Sequence, residues 1–195
     1  MIRFFDFTFS ICGLILISPL FLIISLLIKI TSKGPVLFKQ MRVGLNNHDF
    51  KLYKFRTMKI DSDKNGLLTI GGNDSRITKI GNYLRKLKLD ELPQLINVLW
   101  GDMSLVGPRP EVRKYVDLYN PVQLKVLQVK PGITDLASIY YKNENDELGR
   151  SSDPEKTYTQ EIMPHKLALN QTFINNPSLF NYFKIIFKTF FSILK

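Results

Sequence analysis

The sequence is poor in the residues that build metal centres and disulfide frameworks. Among its 195 residues are one cysteine, Cys12, and two histidines, His48 and His165. One cysteine excludes an internal disulfide framework and is typical of a reducing compartment, and with so few histidines a structural zinc site of the usual ligand set is excluded. The sequence also lacks a glycine-rich phosphate loop of the Walker or dinucleotide type, internal repeats and low-complexity tracts.

Acidic residues are also scarce, since 17 Asp and Glu stand against 27 Lys and Arg, a formal net charge of +10. A surplus of this size predicts an anionic partner: nucleic acid, phospholipid or a phosphorylated substrate. Because no nucleic-acid-binding motif accompanies the charge, membrane and phosphate contacts explain it better. The composition is otherwise that of a folded protein, with 45% hydrophobic residues.

The longest uncharged run lies near the N-terminus, over residues 7–28. As a straight helix it would be about 33 Å long, enough to cross a hydrocarbon core of roughly 30 Å. A cleaved signal peptide is the least favoured interpretation, because no small-residue cleavage site precedes Lys29. In the middle of the run, Ser18 and Pro19 predict a kink or break, and the Ser18 hydroxyl is expected to satisfy backbone groups that are freed there.

Basic residues flank both ends of this run, Arg3 on one side and Lys29 and Lys33 on the other. Positive residues prefer the cytoplasmic side, which favours a re-entrant hairpin that enters and leaves by one face. The residues alone leave the hairpin and a kinked span both open. Asp6 needs a partner at the interface, and its spacing from Arg3 predicts an ion pair between the two.

The rest of the chain predicts a compact α+β unit. Its expected elements are strands over residues 36–40 and 50–55 with a turn at 44–47, a loop over 60–75, helices over 78–87, 91–100 and 111–129, an extended elbow at 106–110, a turn at 130–132 and a mobile stretch over 143–153. Asp90 is the expected N-cap of the second of these helices, which ends at Gly101.

A last helix is predicted over residues 180–195, with its polar residues in one narrow stripe. Such a helix either covers a core or lies in a membrane interface with its lysines toward anionic headgroups. We favour the interfacial helix, because most of its surface is aromatic or aliphatic.

The densest chemical signal is the adjacent pair Asp90 and Glu91. Two neighbouring carboxylates suit Mg²⁺, and an aspartate can act as a covalent nucleophile toward phosphorus. Arg85, five residues upstream, has the planar guanidinium that suits phosphate. The alternative is that Asp90 only caps a helix while Glu91 is solvated.

Three further basic residues are candidates for phosphate binding. Arg109 lies between Pro108 and Pro110, whose rigidity would fix its guanidinium. Lys54 and Arg56 alternate on a predicted strand and so share one face. For each of these three side chains, simple exposure to solvent is the competing interpretation.

Taken together, these pieces resemble the small bacterial sugar transferases, the monotopic polyprenol-phosphate phosphoglycosyl transferases. The resemblance rests on Ser18-Pro19 in the apolar run, GPVLFKQ at 34–40, YKFRTM at 53–58, LR at 84–85, LDELPQL at 89–95, NVL at 97–99, GDMSLVGPRPE at 101–111 and KPGIT at 130–134. Each piece alone is weak, but their combined order covers nearly the whole chain.

The resemblance implies an enzyme of the bacterial cytoplasmic membrane, with a re-entrant anchor over residues 1–30 and a cytoplasmic catalytic unit over 31–195. Its reaction would move a sugar phosphate from a UDP-sugar to polyprenol phosphate, the first membrane step of glycoconjugate assembly. Asp90 would be the nucleophile and form a phosphosugar ester as UMP leaves. Glu91, with Asp90 beside it, would hold Mg²⁺, and Arg85 and Arg109 would steady phosphoryl oxygens.

One stretch departs from the family pattern. Family members usually continue after KPGIT with Gly-Trp-Ala and then Asn-Gly-Arg, whereas this chain has Asp135-Leu136 and later Lys142. Because lysine replaces a bidentate fork with a point charge, we expect an altered donor preference. Two other functions stay open, a catalytically silent membrane adaptor and a Mg²⁺-dependent diphosphate hydrolase that uses the same carboxylates.

Overall fold

A computed structural model describes residues 1–60, 62, 68 and 74–194, with side chains as far as Ser192. Most of the loop predicted over residues 60–75 lies outside the described residues. In the part described, helices and strands are mixed, as the sequence predicts, and the strands are short.

The apolar N-terminal segment forms one long helix, α1 (Ile2–Thr31). It is long and apolar enough to cross a membrane, and little of it is buried by the rest of the protein. The helix continues through Ser18 and Pro19 without a change of secondary structure. Pro19 has no N–H for the Ile15 carbonyl, and the Ser18 hydroxyl donates to that carbonyl instead, at 2.8 Å. The sequence-based expectation for the Ser18 hydroxyl is therefore confirmed.

The start of α1 is fixed by a buried carboxylate, and the predicted ion pair between Arg3 and Asp6 is wrong. Asp6 Oδ1 accepts hydrogen bonds from Ser104 Oγ (3.0 Å), the Leu105 N–H (2.9 Å) and Tyr182 Oη (2.8 Å). Arg3 donates instead to backbone carbonyls of residues 98 and 99. Local spacing failed here because partners about 100 and 176 residues away satisfy the carboxylate.

The other end of α1 packs on the same folded body. Ile24 and Ile28 are buried in a cluster with Phe55 and Leu84. Between the two ends, α1 exposes large apolar side chains at Ile15, Leu16, Leu22 and Ile23. The helix is therefore buried near both ends, while much of its middle stays exposed; one side of the middle approaches the protein, since a Cβ on Gly13 would lie 3.4 Å from Leu95 Cδ1.

The two predicted N-terminal strands form a hairpin. Strand β1 (Leu37–Val43) pairs antiparallel with β2 (Asp49–Phe55), in a register that sets Leu37 opposite Phe55. The turn between them contains Asn46 and Asn47, both with positive φ, a conformation that asparagine tolerates. Hairpin and turn agree with the sequence-based prediction, although each strand extends beyond its predicted bounds.

The segment that follows carries Asp90 and Glu91 on a tight turn. Helix α2 (Lys79–Lys86), predicted over 78–87, begins after Thr78, whose side chain caps it by accepting from the Gly81 N–H. A 3-10 turn, Leu89–Glu91, comes next, and helix α3 (Gln94–Trp100) starts only after Pro93. Asp90 is therefore not the cap of a helix that starts at residue 91, and that prediction is wrong. Gly101, in the left-handed conformation, ends α3 as predicted.

A second strand pair was not predicted. Strand β3 (Ser104–Val106) runs parallel to β4 (Gly132–Thr134), where the sequence suggested only a turn at 130–132. The backbones approach so closely that a Cβ on Gly132 would lie 2.1 Å from the Gly107 nitrogen. This pairing brings the Pro108–Pro110 elbow beside Asp135, which directly precedes the helix that follows β4.

The prediction of one long helix over 111–129 is wrong. The chain forms a short helix, α4 (Arg113–Val116), and a separate 3-10 helix over Gln123–Gln128. Pro121 separates them, and Asn120 Oδ1 accepts from the backbone N–H groups of residues 122 and 123. The apolar periodicity of the sequence continues across Pro121, but no helix does, because proline interrupts the hydrogen bonding of a helix.

The C-terminal third is helical: α5 (Leu136–Tyr140), α6 (Glu144–Arg150), α7 (Pro154–Thr157), a π-turn over Tyr158–Ile162, α8 (Met163–Ile174) and α9 (Leu179–Leu194). The stretch 143–153, predicted to be mobile, contains α6, whose Leu148 is buried in a cluster with Tyr158 and Ile162. The sequence of this stretch contains one apolar residue that is buried, which was too little to predict the helix. The final helix agrees with its prediction.

Candidate active site

The predicted site residues converge on one cleft of about 500 Å³. It lies between the β1–β2 hairpin, the 3-10 turn and the segment around α5 and α6. All six predicted site side chains line it: Lys54, Arg56, Arg85, Asp90, Glu91 and Arg109. Sequence patterns alone therefore located the cleft, although they did not predict how these groups are paired.

Glu91 is the centre of an ion cluster. Its Oε1 accepts from Lys54 Nζ at 2.9 Å and also from Arg109 Nη2, while its Oε2 accepts from Arg109 Nη1 at 3.1 Å. Burial acts to raise the pKa of Glu91, but the charges and hydrogen bonds of Arg109 and Lys54 hold it well below its usual range. Glu91 is consequently an ionised carboxylate whose oxygens both contact cations, and the solvated alternative for it is wrong.

Asp90 has a contrasting environment. It is 7% exposed, and within the described residues no side chain or backbone group donates a hydrogen bond to its carboxylate. Burial and then the charge of Glu91 raise its pKa, while Lys54, Arg85 and Arg109 oppose that shift. Asp90 is thus a carboxyl group that lines a cationic cleft and accepts no hydrogen bond from the described residues.

Arg109 is fixed through its backbone as well as its side chain. Its N–H donates to Asp135 Oδ2 at 2.9 Å, and Asn170 Nδ2 donates to the same oxygen at 2.7 Å. Asp135 Oδ1 accepts from the Ser138 N–H and so caps α5. Asp135 is buried and links the elbow, α5 and α8.

The two remaining predicted arginines also contact protein groups. Arg56 donates to the backbone carbonyls of Ser32 and Lys33 and to Ser32 Oγ, so it anchors the chain where α1 ends. Arg85, on the last turn of α2, donates from Nε to Thr57 Oγ1 at 2.9 Å. Phosphate binding by either residue stays a prediction.

Sequence reasoning missed several other cleft residues. They include the basic side chains of Arg42, Lys59, Arg76, Lys88 and Lys166 and the aromatic ring of Tyr141. Arg42 donates to Glu111 and Gln40, and Tyr141 Oη lies 2.7 Å from His165 Nδ1. Arg42 alone carried a signal, since the family resemblance of the segment that begins with GPVLFKQ at 34–40 extends to Arg42.

The family model for bacterial sugar transferases matches residues 1–195. The chain belongs to the bacterial sugar transferase family. The resemblance to the small bacterial sugar transferases, drawn from the motifs, is thereby confirmed at the level of the family.

Curated relatives agree with this membership. The chain is 40% identical over 192 residues to a UDP-N-acetylgalactosamine-undecaprenyl-phosphate N-acetylgalactosaminephosphotransferase of Aeromonas hydrophila, covering 97% of this chain and 42% of that protein. It is 41% identical over 182 residues to a UDP-glucose:undecaprenyl-phosphate glucose-1-phosphate transferase of Klebsiella pneumoniae, covering 91% and 37%. It is also 36% identical over 202 residues to the exopolysaccharide production protein ExoY of Rhizobium meliloti, covering 96% and 82%. The chain spans about two-fifths of the length of the first two of these relatives.

The departure at residue 135 gains a structural reason in this sugar transferase. Asp135 contacts the arginine elbow and caps α5, so the family's usual glycine is replaced by a side chain with a positioning contact. Lys142 lines the cleft, and its effect on donor preference stays a prediction.

We predict that Asp135→Ala lowers the free energy of unfolding by about 2–4 kcal/mol, because a cap is lost and the partly buried Arg109 N–H loses its acceptor. The rate of sugar transfer should fall as well, since Arg109 would no longer be fixed. Chemical denaturation and a transfer assay below the unfolding transition measure the two effects.

Asp153→Ala is the matched control. Asp153 caps α7 by accepting from the Lys156 N–H but is exposed and does not line the cleft. Its loss should cost about 1 kcal/mol and leave transfer unchanged. Equal losses of stability and activity in the two variants would show that Asp135 acts only as a helix cap.

Proposed function

We propose that the protein transfers a sugar phosphate from a UDP-sugar to polyprenol phosphate, such as undecaprenyl phosphate, and releases UMP. The observation that carries the proposal is the Asp90 carboxylate, which faces a cation-lined cleft without a hydrogen-bond donor from the described residues. Membership in the sugar transferase family supports it. The names of the relatives indicate the class of acceptor.

In the first step, an Asp90 oxygen attacks the phosphorus that bears the sugar. A bond forms between Asp90 and this phosphorus, and the bond from the phosphorus to the bridging oxygen breaks. UMP leaves with that electron pair, and a phosphosugar ester of Asp90 remains. None of the described residues donates a hydrogen bond to Asp90, which suits this role because no such bond has to be broken before attack.

In the second step, a phosphate oxygen of the polyprenol phosphate attacks the phosphorus of the ester. The bond from phosphorus to Asp90 breaks, and the carboxylate is regenerated. The product is a polyprenyl diphosphate sugar. Both steps add negative charge to a small volume, and the basic lining of the cleft stabilises it.

Among the cations, Arg109 is the best placed to contact transferring phosphoryl oxygens. Its guanidinium is one-third exposed while paired with Glu91, and its backbone is fixed by Asp135. Arg85 acts electrostatically on Asp90 and lines the same cleft. Lys54 and Arg56 add positive charge, although their contacts to Glu91 and to the end of α1 commit part of their hydrogen-bonding capacity.

Mg²⁺ fits this arrangement as an ion held in large part by substrate. Within the described residues, no three His, Cys, Asp or Glu side chains form a complete site. Glu91 Oε2 has one partner and keeps a lone pair, and Mg²⁺ commonly uses one or two carboxylates together with substrate phosphates and water. Bound there, the ion would neutralise the diphosphate and the departing UMP.

We also propose that α1 is a re-entrant anchor of the cytoplasmic membrane and that residues 31–195 face the cytoplasm. The buried Asp6 and the buried Ile28 both pack on one folded body, which supports a segment whose two ends lie on the same side of the bilayer. The exposed apolar middle of α1 would be the part within lipid.

The competing functions predict different behaviour. A diphosphate hydrolase would use water as its acceptor and be indifferent to polyprenol phosphate. A membrane adaptor would not need a buried carboxylate at Asp90 or the ion cluster around Glu91. The buried charges favour an enzyme, because ionised groups in a shared cleft are costly to keep without a chemical use.

Asp90→Asn should reduce UMP release from UDP-sugar by at least about a thousandfold, because the amide is a poor nucleophile. A screen of UDP-sugars with polyprenol phosphate and Mg²⁺ identifies the donor for this assay. Asp117→Asn, an exposed carboxylate outside the cleft, should retain the wild-type rate. Retained turnover in Asp90→Asn would remove Asp90 as nucleophile, and a rate independent of polyprenol phosphate would favour the hydrolase.

Cysteine labelling tests the proposed topology. In a Cys12→Ser background, Phe4→Cys and Lys33→Cys should react with a membrane-impermeant maleimide only in inverted vesicles. Leu16→Cys, which is 81% exposed from the protein but would lie in lipid, should react in neither preparation. Labelling of positions 4 and 33 from opposite faces would establish a span.

A further inference from the structure

A second concave surface adjoins the cleft, along the outer face of α9. This groove has a volume of about 900 Å³ and is mostly apolar. Its wall and floor are formed by Ile139, Phe183, Phe187 and Phe191, and lysines 184 and 188 contribute its positive charge. Two of its rings, Phe187 and Phe191, are about three-fifths exposed.

The groove is built on a helix that is fixed from behind. The opposite face of α9 carries Tyr182 and Ile185, both buried in a cluster with Phe173 and Val106. Thr189 Oγ1 lies 2.6 Å from Thr134 Oγ1 of β4, and Tyr182 is hydrogen-bonded to Asp6. The groove side chains therefore project from an anchored element.

Lys142 connects the groove to the cleft, because it lines both. An amphiphile bound along α9 would thus reach the cleft with its head at a lysine. Within the groove, Lys184 Nζ lies 5.9 Å from the centre of the Phe180 ring, so positive charge and aromatic surface alternate along one face. The surface is complementary to a molecule with a hydrocarbon chain and an anionic end.

We propose that this groove binds the polyprenol phosphate acceptor, with its first isoprene units against Phe187 and Phe191 and its phosphate passed by Lys142 toward Asp90. The proposal rests on the proposed function for the identity of the acceptor. The acceptor's phosphate must reach a buried carboxylate while its chain stays in an apolar environment. A groove that shares Lys142 with the cleft meets both requirements, whereas a surface that only rests on lipid need not lead to the cleft.

Substitution of two phenylalanines of α9 distinguishes a groove that binds a ligand from a face that only contacts the membrane. Phe187 is 62% exposed and lines the groove, while Phe190 is 59% exposed on the same helix and does not line it. Removing either ring takes away a similar area of membrane contact. Only Phe187→Ala should weaken acceptor binding.

The first measurement is direct binding of farnesyl phosphate in detergent, titrated with protein that carries Asp90→Asn so that no turnover occurs. In this background Phe187→Ala should raise the Kd about tenfold, and Phe190→Ala less than twofold. Lys142→Met should also raise it, since the phosphate loses a cation. Equal effects of Phe187→Ala and Phe190→Ala, or an unchanged Kd in Phe187→Ala, would overturn the proposal that the groove binds the acceptor.

The second measurement uses protein with an intact Asp90. Phe187→Ala should raise the KM for polyprenol phosphate about tenfold and leave the KM for the UDP-sugar unchanged. Phosphatidylglycerol should not compete, and competition equal to that of farnesyl phosphate would make this a phospholipid site and overturn the proposal. If no UDP-sugar yields UMP, the proposed function fails, while the titration still decides whether the groove binds a polyprenyl phosphate.

Discussion

The site depends on the ion cluster in which Glu91 is held by Lys54 and Arg109. These residues come from a strand, a 3-10 turn and a proline-flanked elbow, so the cluster joins three separate segments of the chain. A buried carboxylate without these partners would be strongly destabilising. Because Glu91 engages both cations, the neighbouring Asp90 is left in a positive field without a donor of its own among the described residues. That division of roles between adjacent carboxylates makes nucleophilic attack on phosphorus reasonable.

A second buried carboxylate relates this site to the exposed apolar surfaces. Asp6 connects the start of α1 with β3 and α9, and α9 in turn carries the groove that adjoins the cleft. The long apolar helix, the aromatic groove and the charged cleft are thus parts of one packed body. An enzyme with a water-soluble nucleotide donor and a lipid acceptor requires such an arrangement, because both substrates must approach the same atom.

Local sequence patterns predicted the features that depend on neighbouring residues. The β1–β2 hairpin, the end of α3 at Gly101 and the Ser18 contact all follow from turn, capping and proline chemistry. Motif order located the six cleft side chains. Features set by distant partners were missed: the β3–β4 pair, the Asp6 contacts and the link from Asp135 to Arg109. The prediction of one helix over 111–129 was wrong because it gave the apolar periodicity more weight than Pro121.

Intact-protein mass measurement tests the central claim most directly, that Asp90 bonds covalently to phosphorus. Enzyme mixed with its UDP-sugar donor and Mg²⁺, without a lipid acceptor, should gain the mass of a sugar phosphate less one water. Fragmentation should assign the gain to Asp90, and polyprenol phosphate should remove it. UMP release without any adduct, or an adduct on a different residue, would contradict the account.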